Sequence, residues 1–235
     1  MSGFLFAAAA KATVTVEVPI DGQTGVWIKA GGATVSSGMS MTGATVSSGQ
    51  SMYVYNRGVA TSINVSGGGV VNISSGGTAT SLLTYSSGTV HVSNGGSLNV
   101  FSSLEPATQN VIFNGGVATN GYILLGNLLV SSGGFAEDMT ASGFSPTSRG
   151  VLNLRAGGSM NRATCQRAEN GYFNGEVTDL HVSGGAAYLR SPCVASGVSV
   201  TSGTLIVSSG ASALAVTSGA GAVVTVQTGG YIEYA

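Results

Sequence analysis

Apolar residues return along this chain on a beat of 19. Val16, Val35, Val54, Ile73 and Val92 are equally spaced. The series continues through Ile112 (step 20), Val130 (step 18), Leu154 (step 24) and Phe173 (step 19), and recovers at Val207 and Val226, again 19 apart. Tyr188, 19 residues before Val207, is the expected anchor of one degenerate turn. Two residues before most anchors a second apolar or small residue recurs, as at Val71, Val90, Leu128, Leu152 and Leu205. Alternation of this kind is the mark of a strand with one buried face. Glycine follows three and four residues after the anchor, as in Gly76/Gly77, Gly95/Gly96, Gly115/Gly116 and Gly133/Gly134. That position reads as a corner with positive φ, which glycine adopts without steric cost. A small residue often returns six after the anchor, at Ala60, Ala79, Ala118, Ala136 and Ala213. Each unit therefore reads as strand, Ser-Gly corner, strand, Ser-Gly corner.

A 19-residue unit of two short strands cannot bury its own apolar face, whereas stacked copies can. The pattern predicts an all-β fold, a right-handed parallel β-helix (solenoid) of about twelve turns. At one strand spacing per turn its length is on the order of 55–60 Å. Four stretches follow: 1–30 as an N-terminal cap and first turn, 31–139 as regular repeats, 140–193 as irregular turns with loop insertions, and 194–235 as regular C-terminal turns.

Composition agrees with stacking. Only 7% of the 235 residues are charged, while 38 are glycine and 43% are hydrophobic. That apolar share separates the chain from a disordered Gly/Ser linker. Identical charges stacked one strand spacing apart would repel, and stacked hydroxyls do not. The net charge of −1 gives no steering toward nucleic acid or anionic lipid. No segment is apolar for the ~18 residues of a membrane span. "MSGFLFAAAA" lacks the basic start of a signal peptide and reads as a capping strand or helix; an exported form would need a signal cut off or replaced here. Cys165 and Cys193 read as free or buried thiols, with a disulfide between them left open.

"VNISSGGTATSLLTYSSGTVHVSNGGSLNV" resembles the repeats of AIDA-type autotransporter passengers, the self-associating adhesins of Gram-negative bacteria. The resemblance covers roughly residues 30–140 well and 200–230 moderately, and 140–200 poorly. It implies an extracellular or cell-surface β-helix that adheres to copies of itself, or to a host-surface glycan or protein. It also implies O-linked sugar on corner hydroxyls, here Ser74, Ser75, Ser131 and Ser132. Nothing resembles the family's C-terminal membrane barrel or its extended signal. The chain thus reads as a passenger fragment or as a free-standing protein on the same repeat. The alternative is a virion fibre or tail protein, or an extracellular filament subunit.

The beat breaks between Met139 and Cys193. Arg149, Arg155, Arg162, Arg167 and Arg190, five of the eight basic residues, fall there with Glu176, Asp179 and His181. Insertions in solenoids gather on one face, often the binding face. Arg149, Arg155, Arg162, Arg167, Glu176 and Asp179 are the candidate binding residues; the plainer reading is that irregular turns tolerate charge because no like charge stacks on them. A glycan-cleaving enzyme is a third reading, and would need converging carboxylates. The acid pairs Glu137/Asp138 and Glu176/Asp179 lie about two turns apart, ~10 Å, on unlike positions of the unit, so no catalytic residue is assigned. No Cys/His spacing or regular Asp points to a metal, and no motif points to a cofactor.

Overall fold

In the structure, a computed structural model, the beat of 19 becomes a single parallel ladder. It describes residues 32–36, 39–145, 148–167 and 170–235; the expected N-terminal cap and the turn on Val16 lie outside the described residues. Val35, Val54, Ile73, Val92, Ile112, Val130, Leu154, Phe173, Leu189, Val207 and Val226 pair in register from turn to turn. The described residues make about ten turns. Strand alternation buries Met52, Val71, Val90, Leu128, Leu152, Ala187 and Leu205 beside these anchors.

Two points of the sequence reading change. The degenerate turn is anchored by Leu189, not Tyr188. Leu189 is fully buried and pairs with Phe173 and Val207, while Tyr188 faces outward. A slip of one residue reverses the face of every side chain in a strand. Second, each turn has three sides rather than two. The second strand of the unit, such as Thr78–Thr84, bends at one residue in the left-handed region. These bends form their own column: Gly43, Ser62, Ser81, Val100, Asn120, Asp138, Arg162, Asp179, Gly197 and Ala215, all with φ between 50° and 71°. Before the bend, Ala60, Ala79, Leu98, Ala118 and Ala136 stack on the second side. After it, Ile63, Leu82, Phe101, Met139, Ala163 and Leu180 line the third.

The interior is filled turn by turn. Phe101 and Phe173 are the largest side chains in a core made otherwise of Val, Leu, Ile, Ala and Met, with Cys165 and Cys193. Each lies against a glycine. A Cβ on Gly121 would come within 2.5 Å of the Phe101 ring, and one on Gly171 within 2.4 Å of the Phe173 ring. The column admits a cluster of polar groups where Thr84, Ser103, Thr108 and Asn110 are buried together; Thr34 and Ser142 are buried elsewhere. Asn110 Nδ2 donates to Ser103 Oγ at 3.2 Å, and Thr84 and Ser103 hydroxyls bond at 3.0 Å. Asn110 Oδ1 has no partner. Outside, polar residues stack on polar residues as expected: Thr119 donates to Asn99 at 2.9 Å, and Asn161 to Glu137 at 2.9 Å.

Val100 is the one β-branched residue in the bend column, at φ 53° and largely exposed. Left-handed backbone costs such a residue about 1–2 kcal/mol, and asparagine less. Val100→Asn is therefore expected to raise the melting midpoint, by about 2–4 °C for each kcal/mol relieved. A thermal melt followed by circular dichroism that shows a lower midpoint would remove the strain argument.

Candidate binding surface

The corners between the first and second sides carry the solenoid's most varied chemistry. Most have four residues after the anchor: Ser74–Gly77, Ser93–Gly96, Ser131–Gly134, Arg155–Gly158, Ser208–Ala211. They stack by backbone bonds, with Ser75 N donating to Asn94 O at 2.7 Å and Gly95 N to Gly115 O at 2.7 Å. After Phe173 only Asn174 and Gly175 precede the next strand, Glu176–Leu189. A corner two residues short, between full corners below and above, leaves a notch in the edge of the rod.

Asn174 is the floor of that notch and is shared by two hollows. One, of about 580 Å³, is lined by Ser131, Ser132, Arg155, Ala156 and Asn174. The other, of about 360 Å³, takes in Gly157, Gly158, Ser159, Glu176, Pro192 and Val194 beside Asn174 and Gly175. Asn174 Nδ2 donates to Ser191 O at 3.2 Å, which ties the floor to the corner above. Because Leu154, Phe173 and Leu189 are in register, the residues that follow them, Arg155, Asn174 and Arg190, form one column. On the adjoining side the Tyr172 and Tyr188 rings stack at 5.1 Å, and the Arg190 guanidinium lies 4.6 Å from the Tyr172 ring centre.

The six candidate residues divide among three edges. Arg155 and Glu176 meet at the notch, in different hollows. Arg162 and Asp179 belong to the bend column. Arg162 is clamped there by Asp138 (2.5 Å and 2.8 Å) and Glu137 (2.7 Å). That guanidinium holds the Asp138 carboxyl below the usual carboxylate range. Arg149 lies on the third edge, in the hairpin where Gly143–Ser145 runs antiparallel to Ser148–Leu154, and Arg167 at the corner one turn on. The insertion behind the step of 24 includes this hairpin, with Phe144 exposed on its first strand.

The acid pairs are not at unlike positions throughout. Asp138 and Asp179 occupy the same bend position, with Arg162 between them. A general acid needs a raised carboxyl, and Asp138 is shifted the other way. Among the described residues no group of three His, Cys, Asp or Glu is placed to hold a metal ion. Cys165 and Cys193 do not pair; both are buried, and burial pushes the Cys193 thiol up to about 12. His91 is half-buried, against Asn72 Oδ1 (3.2 Å) and the edge of Phe113, and burial lowers its pKa.

Asn174, Tyr172, Tyr188 and Arg190 were not among the sequence candidates. The signal was present: Tyr172 and Tyr188 both immediately precede a ladder anchor, once the anchor is placed on Leu189.

No family model matches the chain, and no curated protein matches its sequence. Among solved structures it is similar to the crystal structure of a TibC-catalysed, hyper-glycosylated TibA fragment. The two share 24% identity over 96% of each chain, with a TM-score of 0.50. The fold is a right-handed parallel β-helix.

Proposed function

We propose that this chain is a structural, adhesive β-solenoid of the cell surface that works by association with copies of itself. The observation that carries the reading is the outer ladder, where polar residues stack on polar residues along the rod: Thr80, Asn99 and Thr119 pair in register, and Thr119 donates to Asn99 at 2.9 Å. The neutral, hydroxyl-rich flanks offer little charge to oppose contact between rods. The repeat's resemblance to AIDA-type passengers points the same way.

Corner hydroxyls are the proposed sugar acceptors. Ser75 and Ser132 are exposed, and Ser74 and Ser131 half-exposed, along one edge of the rod. The similar TibA fragment is hyper-glycosylated, which supports this part of the reading. Its test is mass spectrometry of the protein from its native host.

Self-association is tested by light scattering on the 235-residue chain. The mass is expected to rise with concentration through the micromolar range. A mass that stays at 23.1 kDa rejects the reading. Replacing the stacked outward residues Thr80, Asn99 and Thr119 together by lysine should abolish the rise, because like charges on the flank repel a second rod.

A further inference from the structure

We propose that the notch at Asn174 is a binding subsite for an acidic saccharide, with Arg155 and Arg190 holding its carboxylate or sulfate groups. The proposal does not depend on self-association.

The geometry comes from the missing corner residues. Arg155 and Arg190 begin the corners on either side of Asn174, two strand spacings apart, so their backbones are separated by about 10 Å. Both side chains are exposed; Arg155 lines the larger hollow, and Arg190 stands beside the hollows on the corner above, over the Tyr172 ring. Neither is ion-paired with a carboxylate among the described residues, unlike Arg162, which Glu137 and Asp138 hold. Arg190 lies against the Tyr172 ring, which Tyr188 backs, so one guanidinium is held in place before a ligand arrives. Guanidinium groups bind carboxylate and sulfate through paired N–H donors.

The rest of the notch suits a sugar better than a protein side chain. Its walls mix the hydroxyls of Ser131, Ser132 and Ser159 with the small apolar groups of Ala156, Pro192 and Val194, over Asn174 on the floor, as the hydroxyl edges and C–H faces of a sugar ring require. A protein hot spot needs a deep apolar pocket for an aromatic or aliphatic anchor, and neither hollow offers one. Two adjoining hollows sharing one floor residue can take successive units of a chain. Glu176 lies in the hollow that does not contain Arg155. There a carboxylate accepts hydrogen bonds from neutral hydroxyls and repels a second acid group. The favoured ligand therefore alternates acidic and neutral units rather than carrying charge on every ring. The net charge of −1 gives no long-range attraction, so recognition rests on these contacts.

The test is titration calorimetry of the intact chain with three polymers: hyaluronan, whose acidic and neutral sugars alternate, neutral dextran, and single-stranded DNA as a non-saccharide polyanion. Hyaluronan is expected to bind and the other two not. Arg155→Gln with Arg190→Gln should weaken hyaluronan binding by about tenfold or more, from the loss of two charge-assisted contacts. Asn174→Tyr, which fills the notch without removing charge, should weaken it as well. Arg57→Gln, at a distant corner, should leave it unchanged. Melts of all variants separate binding from folding. Absence of hyaluronan binding, equal binding of DNA or dextran, or a double variant that binds like the parent would each overturn the proposal.

Discussion

Ile73→Asp is expected to remove about 4–6 kcal/mol of stability, a large part of what a domain of this size possesses. Ile73 is fully buried, paired in register with Val54 below and Val92 above. Its replacement leaves a cavity in a column of branched side chains. It also puts a carboxyl into the buried column of Val, Ile and Leu anchors. Of the polar cluster around Ser103 and Asn110, Thr84 belongs to this turn, and its hydroxyl is already bonded to Ser102 O and Ser103 Oγ. A solenoid adds a second consequence. Each turn touches only its neighbours, so stability is close to a sum of turns and interfaces. A failed turn in the middle uncouples those on either side. Circular dichroism should therefore show not just a lower midpoint but a broader or split melt. Ser75→Ala, at an exposed corner of the same turn, should change the midpoint by about 1 °C or less, within the range of ordinary surface substitutions. Equal small effects from the two would mean that the inside and outside of the turn had been exchanged.

The ladder was legible in the sequence because its signal is redundant. Anchor, alternating partner and glycine pair recur together, so six steps of 19 make the fold legible even where the step drifts to 18, 20 or 24. The third side was not legible. Its bend needs one left-handed residue per turn, and that column holds Ser, Val, Arg and Ala as well as the Gly, Asn and Asp that usually signal such backbone. Stacking enforces the conformation there, and tertiary constraint leaves no local composition to read. The site was half legible for a related reason. Charge concentrated in 140–193 is visible in the sequence, but which charges meet depends on turn length. Arg155 and Glu176 come to one notch because the Asn174–Gly175 corner is two residues short, and Arg162 is taken by Glu137 and Asp138 because the bend column aligns them. Misplacing one anchor by one residue, on Tyr188 instead of Leu189, was enough to hide the tyrosine stack.

The paired glycines make a sharper test, because the two members are glycine for different physical reasons. Gly76 has φ 77° and open space around it: a Cβ would meet nothing within 4 Å. Gly76→Ala costs only the left-handed penalty, about 1–2 kcal/mol. Gly77 has no positive φ, yet a Cβ there would lie 2.2 Å from the Val54 carbonyl oxygen and 2.5 Å from its carbon. These are backbone atoms of the turn below, and that oxygen already accepts the Ser74 amide at 2.9 Å. Relief requires the two turns to part and the ladder bond to lengthen. Gly77 stands between Gly58 and Gly96, which face the Val35 and Ile73 carbonyls at 2.2 and 2.4 Å, so neither neighbour can absorb the shift. Cys193 and Ala211 hold the matching position further along, above the shortened Asn174–Gly175 corner, where the regular stacking has already been interrupted. Gly77→Ala is accordingly expected to cost about 3–5 kcal/mol, the range of severe core defects and well beyond Gly76→Ala. Thermal or urea denaturation of the two variants side by side measures the difference. Equal losses would mean that backbone conformation alone selects both glycines, and that the close contact between turns is not what keeps the second one free of a side chain.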